Sequence, residues 1–196
     1  MRRRGLAVTG MCLALVAGAF AAGCSDDSGG EGEAKASPSS VATPAVPPGF
    51  TRVTAGRISL AHPPGWVKAP PPQGWSLAME LKQGDVPMIR VGVITSVPQA
   101  SQADVVATAS FAGIQLGSKI ENREPNKAVQ VPGANGAIRV NYRYEDRSTG
   151  NKAQAADLSV VYGDKKAVTV RVTGVQDARL PQVIDQILGT LMVTPG

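Results

Sequence analysis

From Ile138 to Glu145 the chain is apolar at every second residue: Ile138, Val140, Tyr142 and Tyr144 alternate with Arg139, Asn141, Arg143 and Glu145. A period of two fits a β-strand with two unlike faces and fits no helix, whose side chains return to one face every 3.6 residues. The next two segments repeat the pattern, with Ala156, Leu158, Val160 and Tyr162 after a turn at Thr149-Gly150-Asn151, and Val168, Val170 and Val172 after a turn at Gly163-Asp164. Connections this short reverse the chain, so the segment predicts an antiparallel meander. Placing the apolar positions of all three strands against a core leaves Arg139, Asn141, Arg143, Asp157, Ser159, Thr169, Arg171 and Thr173 on the opposite face.

Such a sheet needs a cover, and the sequence offers two helices for it. Leu180, Val183, Ile184, Ile187, Leu188 and Leu191 recur at i, i+3, i+4, i+7, i+8 and i+11, with Pro181 in the first turn; this predicts an amphipathic helix that covers the core. A second helix is expected from Ser101, read as its N-cap, to Gly117, with Val105, Ala109, Ala112 and Leu116 as its inward stripe. Short strands are expected at Thr51–Thr54 and Arg57–Ala61, joined through Ala55-Gly56. After the turn His62-Pro63-Pro64-Gly65-Trp66 come strands at Ser76–Lys82 and Met88–Thr95, and a further one near Ile120–Gln130. The order strands, helix, meander, helix predicts an α+β domain, an antiparallel sheet covered by helices.

Residues 50–196 make one domain of ordinary size, and what precedes them reads as an address. Residues 1–23 have a basic start, an apolar stretch from about Leu6 to Phe20 and the small residues Ala21, Ala22 and Gly23, followed directly by Cys24. The apolar stretch is short for a membrane-spanning helix, which takes about 20 residues. Small residues before a cysteine resemble the lipobox of bacterial lipoproteins, with Ala21 where leucine is commonest; that resemblance implies cleavage before Cys24 and acylation of its thiol. An ordinary secretory cleavage after Ala19 or Ala21, with Cys24 left as a free thiol, is the alternative. Arg3-Arg4-Gly5-Leu6 loosely fits a twin-arginine signal, and the export route stays open. Residues 24–49 are rich in Ser, Gly, Pro and acids and are expected to form a disordered tether spanning about 25–30 Å. Two or more acyl chains at Cys24 give a lasting anchor in the cell membrane without a spanning segment, on its extracytoplasmic face.

Composition removes several functional classes. The formal charge of +5 falls to +2 once Arg2, Arg3 and Arg4 leave with the signal, 17 bases against 15 acids, and no Lys/Arg block is interleaved with aromatics. Nucleic acid is therefore not an expected partner. Both cysteines, Cys12 and Cys24, precede the domain, which has no disulfide, cysteine metal ligand or thiol nucleophile. His62, the one histidine, lies before a Pro-Pro turn; no GxSxG elbow accompanies it, and Gly133-Ala134-Asn135-Gly136 lacks the lysine of a phosphate loop.

The strand followed by Pro63-Pro64-Gly65-Trp66, the mid-chain helix, the segment Val131–Tyr144, the meander and the C-terminal helix with its Thr190-Leu191-Met192-Val193 tail together resemble the Mog1/PsbP-like fold. They are especially similar to the LpqN-type lipoproteins of actinobacteria. The resemblance covers nearly all of residues 50–194 and implies an α/β/α sandwich, an envelope location and non-enzymatic binding or assembly, with no cofactor and no ligand residues carried over.

The expected interaction residues are Arg139, Arg143 and Arg171 on the polar sheet face, suited to a carboxylate or phosphate, and Trp66 and Trp75 around the proline-rich loop. The expected partners are membrane lipid through acylated Cys24 and an envelope protein or lipid. A carrier of a small apolar or lipid molecule is the alternative, requiring a cavity of about 300 Å³ or more between sheet and helix. A cell-wall-modifying hydrolase is a further one, requiring a deep cleft with at least two convergent titratable groups.

Overall fold

The computed structural model describes residues 42–195; the signal segment, Cys24 and the tether up to residue 41 lie outside the described residues. Ordered contact begins upstream of Phe50, where the Pro44 carbonyl accepts from Arg52 (3.2 Å) and the Pro47 carbonyl from the Phe50 N–H (3.1 Å).

The elements run β1 (Thr51–Ala55), β2 (Ile58–His62), β3 (Val67–Lys68), β4 (Trp75–Gln83), β5 (Val86–Ile94), α1 (Ala103–Gly117), β6 (Ser118–Arg123), β7 (Lys127–Val129), β8 (Gly136–Asp146), β9 (Lys152–Tyr162), β10 (Lys166–Val175), α2 (Leu180–Leu188) and β11 (Met192–Val193). Eight strands form one antiparallel sheet in the order β3-β4-β5-β10-β9-β8-β6, with β7 also on β8; β1, β2 and β11 form a small second sheet. The fold is α+β, as expected. α1 covers one face of the large sheet, and α2 with the small sheet covers the other.

α2 follows its sequence pattern closely. Leu180, Ile184, Ile187 and Leu188 are buried, and Pro181 sits in the first turn, where its missing N–H has no partner to lose. Each buried Leu or Ile there contributes about 1.5–3 kcal/mol. They pack with Ile58, Leu60, Leu158, Val170 and Val172 into the largest apolar cluster. The tail then locks back: the Val193 N–H donates to the Pro132 carbonyl (2.8 Å), and a Cβ on Gly133 would lie 2.2 Å from the Val193 oxygen. Only glycine fits there, at a φ of +77°.

The meander forms as expected, but its strands do not share one apolar face. β8 pairs with β9 so that Val140 lies opposite Asp157 and Arg139 opposite Leu158, and residues directly opposite project to the same side. β8 therefore turns Val140 and Tyr142 toward α1, whereas β9 and β10 turn Leu158, Val160, Val170 and Val172 toward α2. The eight polar residues expected on one face are divided: Arg139, Asn141 and Arg143 lie on the α2 side, and Asp157, Ser159, Thr169, Arg171 and Thr173 on the α1 side. A one-residue offset exchanges every side chain between faces, and a sheet covered on both sides accepts either offset.

α1 departs from expectation in the same way. Its inward residues are Ala103, Val106, Ala107 and Phe111, while Val105 is 44% and Leu116 83% exposed. Its N-cap is Gln102, not Ser101, with no side-chain cap bond. The strand expected near Ile120–Gln130 is split into β6 and β7, both paired with β8.

Candidate interaction surfaces

The α2 side of the large sheet is covered over β4, β5, β10, most of β9 and the start of β8, and it opens along β8 from Arg139 to Arg143 and over β6. Arg139 projects there and donates to Asn141 Oδ1 (2.8 Å) and to Asp185 of α2 (2.7 Å). Asn141 in turn donates to Glu124 Oε2 (2.7 Å). The relay Asp185, Arg139, Asn141, Glu124 thus ties α2 to the segment between β6 and β7. Beyond it Arg143 is exposed and heads a polar crevice of about 150 Å³ with Asn122, Glu124, Asn141 and Gln154. Its planar guanidinium and amides present both donors and acceptors to a polar partner.

Arg171, expected on the same surface, lies on the other side of the sheet under α1, its side chain 11% exposed. It donates to both Asp157 oxygens (2.7 and 2.6 Å) and to Ser110 of α1 (3.2 Å); Asp157 also accepts from Tyr142 (3.0 Å) and Ser110 (3.1 Å). A carboxylate with this many donors and a guanidinium fork across it form a closed cluster under the helix. Burial, with the Asp157 charge second, pushes the Tyr142 hydroxyl well above its ordinary value. Burial works against the Arg171 charge, yet Asp157 more than offsets this and holds its pKa above the ordinary range. Beside this cluster Tyr144 and Thr173 share a hydrogen bond (3.0 Å). They line a trough of about 410 Å³ with Met88, Arg90, Val175 and Lys152, past the end of α1. Arg90 is engaged by the buried Glu80, through Nε at 2.7 Å, and Lys152 by Glu121 (2.6 Å).

The two tryptophans are not brought together on a surface. Trp66 is 8% exposed, packs in the main core and stacks on His62 with ring centroids 5.9 Å apart. Trp75 is half-buried and lies flat on Gly92, where a Cβ would come within 1.9 Å of the indole. His62 is itself buried, its Nδ1 2.8 Å from the Pro63 carbonyl. Of the five expected interaction residues, Arg139 and Arg143 stand at one open surface, while Arg171 and Trp66 belong to the interior. Sequence reasoning missed the pairing of Glu80 with Arg90 and the part played by Ser110. Glu80 falls on the polar side of an alternating strand, beside Ala78 and Lys82, so nothing local marked either.

A third feature is an apolar groove of about 360 Å³ between the β4–β5 hairpin and the start of α2, lined by Leu81, Met88, Ile89, Leu180 and Val183. Among the described residues no cluster of three or more His, Cys, Asp or Glu is placed to hold a metal ion, and no helix is long and apolar enough to cross a membrane.

No family model matches the chain, and no curated protein matches it in sequence. Solved structures do. A crystal structure from Bacteroides thetaiotaomicron VPI-5482 aligns with a TM-score of 0.50 at 9% identity over 75% of this chain; the match spans 49% of that protein, about half its length. LpqN of Mycobacterium tuberculosis, whose structure is described as involved in cell envelope biogenesis, aligns at 19% identity over 74% of this chain and 91% of its own, TM-score 0.49. The Ran-binding protein Mog1p of Saccharomyces cerevisiae aligns at 11% identity over 74% of this chain and 95% of its own, TM-score 0.47. The first of these likenesses is one of fold alone.

Proposed function

We propose that this chain is an LpqN-type envelope lipoprotein, anchored in the cell membrane through acylated Cys24, whose Mog1/PsbP-like domain is a non-enzymatic binding or scaffold module on the extracytoplasmic side. The observation that carries the anchor is the placement of Cys24 directly after Ala21-Ala22-Gly23 at the end of an apolar stretch. The binding role is supported by the open half of the α2-side face, where Arg143 stands free of any ion pair among the described residues beside the Arg139, Asn141 and Glu124 relay. The non-enzymatic reading is supported by the way the acids near the sheet are engaged: Asp157 by Arg171, Tyr142 and Ser110, and Glu80 by Arg90 and Lys82.

Mass spectrometry of the protein from its native membrane tests the anchor, with a diacylglyceryl thioether on an N-terminal Cys24 as the expected result. A Cys24→Ala chain should lack the thioether and be washed from the membrane fraction by high salt, which should leave the acylated chain in place. An unmodified thiol, or a wild-type chain recovered in the culture fluid, overturns the reading.

The apolar groove at the start of α2 favours a second reading, a carrier of a small apolar molecule. Its size meets the lower bound for a ligand site, although it opens to solvent and is not enclosed between sheet and helix. Saturable uptake of a fluorescent fatty acid that Val183→Asp abolishes would support the carrier over the scaffold.

A further inference from the structure

On its exposed side α1 mixes apolar side chains with the polar Asp104, Thr108 and Gln115. Its outward side carries Val105 and Leu116, 44% and 83% exposed, and Asp104 is the only charged residue among its 15. Sequence periodicity points this stripe at the core, yet the core is filled from the helix's other side. The apolar outward side has been left without a partner within the fold.

The surroundings of α1 limit what that partner can be. At its C-terminal half Arg123 lies over the Phe111 ring, 4.7 Å from the centroid, and the Arg147 N–H donates to the Gly117 carbonyl (3.2 Å). Neither arginine takes part in an ion pair among the described residues. The acids at this end of the helix are occupied, Asp146 wrapped by Ser148 and Thr149 and Glu121 holding Lys152; Asp104, exposed and without an ion pair among the described residues, lies at the opposite end, in the first turn. Past the helix end the surface continues through Val175, 45% exposed, at the trough. Residues 42–196 hold all bases but Arg2, Arg3, Arg4 and Lys35 and all acids but Asp26, Asp27, Glu31 and Glu33, a balance of 16 to 11. Exposed apolar side chains beside unpaired arginines are the chemistry of a surface that settles into anionic headgroups.

We propose that the outward side of α1, with Arg123 and Arg147, rests on an anionic lipid bilayer. The choice of a bilayer as occupant rests on the anchor at Cys24. A polar tether of the kind the sequence predicts, 18 residues from there to Ala42, would span about 20–25 Å, less than the width of a domain of this size, and would keep the lipid surface within reach. The polar half-face that carries Arg143 points away from the bilayer in this arrangement.

The test uses the unacylated chain from Ser25 onward, whose compact unit closes within Ser40–Gly196, and sedimentation with vesicles of equal parts phosphatidylglycerol and phosphatidylcholine. Binding should exceed that to phosphatidylcholine alone, fall with added salt, and weaken about five-fold for each of Arg123→Gln and Arg147→Gln. Leu116→Asp should abolish it, and Arg143→Gln, an equal loss of charge on the opposite face, should leave it unchanged. Three results would overturn the proposal: no preference for phosphatidylglycerol, an Arg143→Gln effect as large as that of Arg147→Gln, or a self-association that Leu116→Asp removes in the absence of vesicle binding. The anchor stands or falls separately, since acylated Cys24 without vesicle binding sinks only this proposal, and vesicle binding with an unmodified thiol sinks only the anchor.

Discussion

Asp157 receives hydrogen bonds from Arg171, Tyr142 and Ser110, so three elements meet on one carboxylate: β8, β10 and α1. A buried pair of this kind contributes little net stability, because desolvating two ions nearly offsets their attraction; losing one member is what costs. Asp157→Ala should therefore destabilise by about 3–5 kcal/mol, leaving a buried guanidinium without its counter-ion. The joint variant Asp157→Leu with Arg171→Met should recover most of that loss. Urea denaturation of the single and double variants measures both, and a single variant as stable as wild type would show that the cluster is solvated. From the sequence both residues read as surface polar positions, since nothing local distinguishes a charge that faces water from one that faces a helix carrying Ser110.

At the scale of elements, what periodicity reports is separable from what it leaves open. It reports that β8, β9, β10 and α2 are two-sided, and all four form where the pattern places them, except that α2 ends at Leu188 and Leu191 is buried beyond it, just before β11. Which side each strand turns to which helix depends on the register across the β8–β9 hairpin, and a sheet sandwiched between two covers gives no local clue to it. α1 shows the same gap more sharply, because Val105, Ala109, Ala112 and Leu116 make one plausible stripe and Val106, Ala107 and Phe111 another; the second wins through the fit of Phe111 edge-on to Tyr142, centroids 5.3 Å apart. Phe111→Ala should then cost about 3–5 kcal/mol. Leu116→Ala should fall within about 0.5 kcal/mol of wild type, as surface changes do. Thermal unfolding of the two variants checks the contrast, and a large loss from Leu116→Ala would restore the stripe read from the sequence.

For the whole molecule, the two layers over the large sheet leave two unlike surfaces, one apolar with arginines at its rim around α1, the other polar around Arg143 and the relay from Asp185 to Glu124. The layering was legible because helices must cover a sheet with apolar residues on it. The candidate site was legible only as residue types, Arg139 and Arg143 among them, because surfaces are assembled from positions far apart in the chain. A module held at a bilayer and engaging a partner works best when the two contacts lie on opposite sides, so that neither competes for the other's surface. With the chain anchored through Cys24 as proposed, single cysteines introduced as Leu116→Cys and Arg143→Cys should react unequally with a membrane-impermeant maleimide. The cysteine at 143 should label several-fold faster while the protein is membrane-bound, and the two should label alike once detergent has replaced the bilayer, both positions being exposed in the folded domain. Equal rates on the membrane would mean that the domain turns freely on its tether and that the apolar side of α1 has some other use.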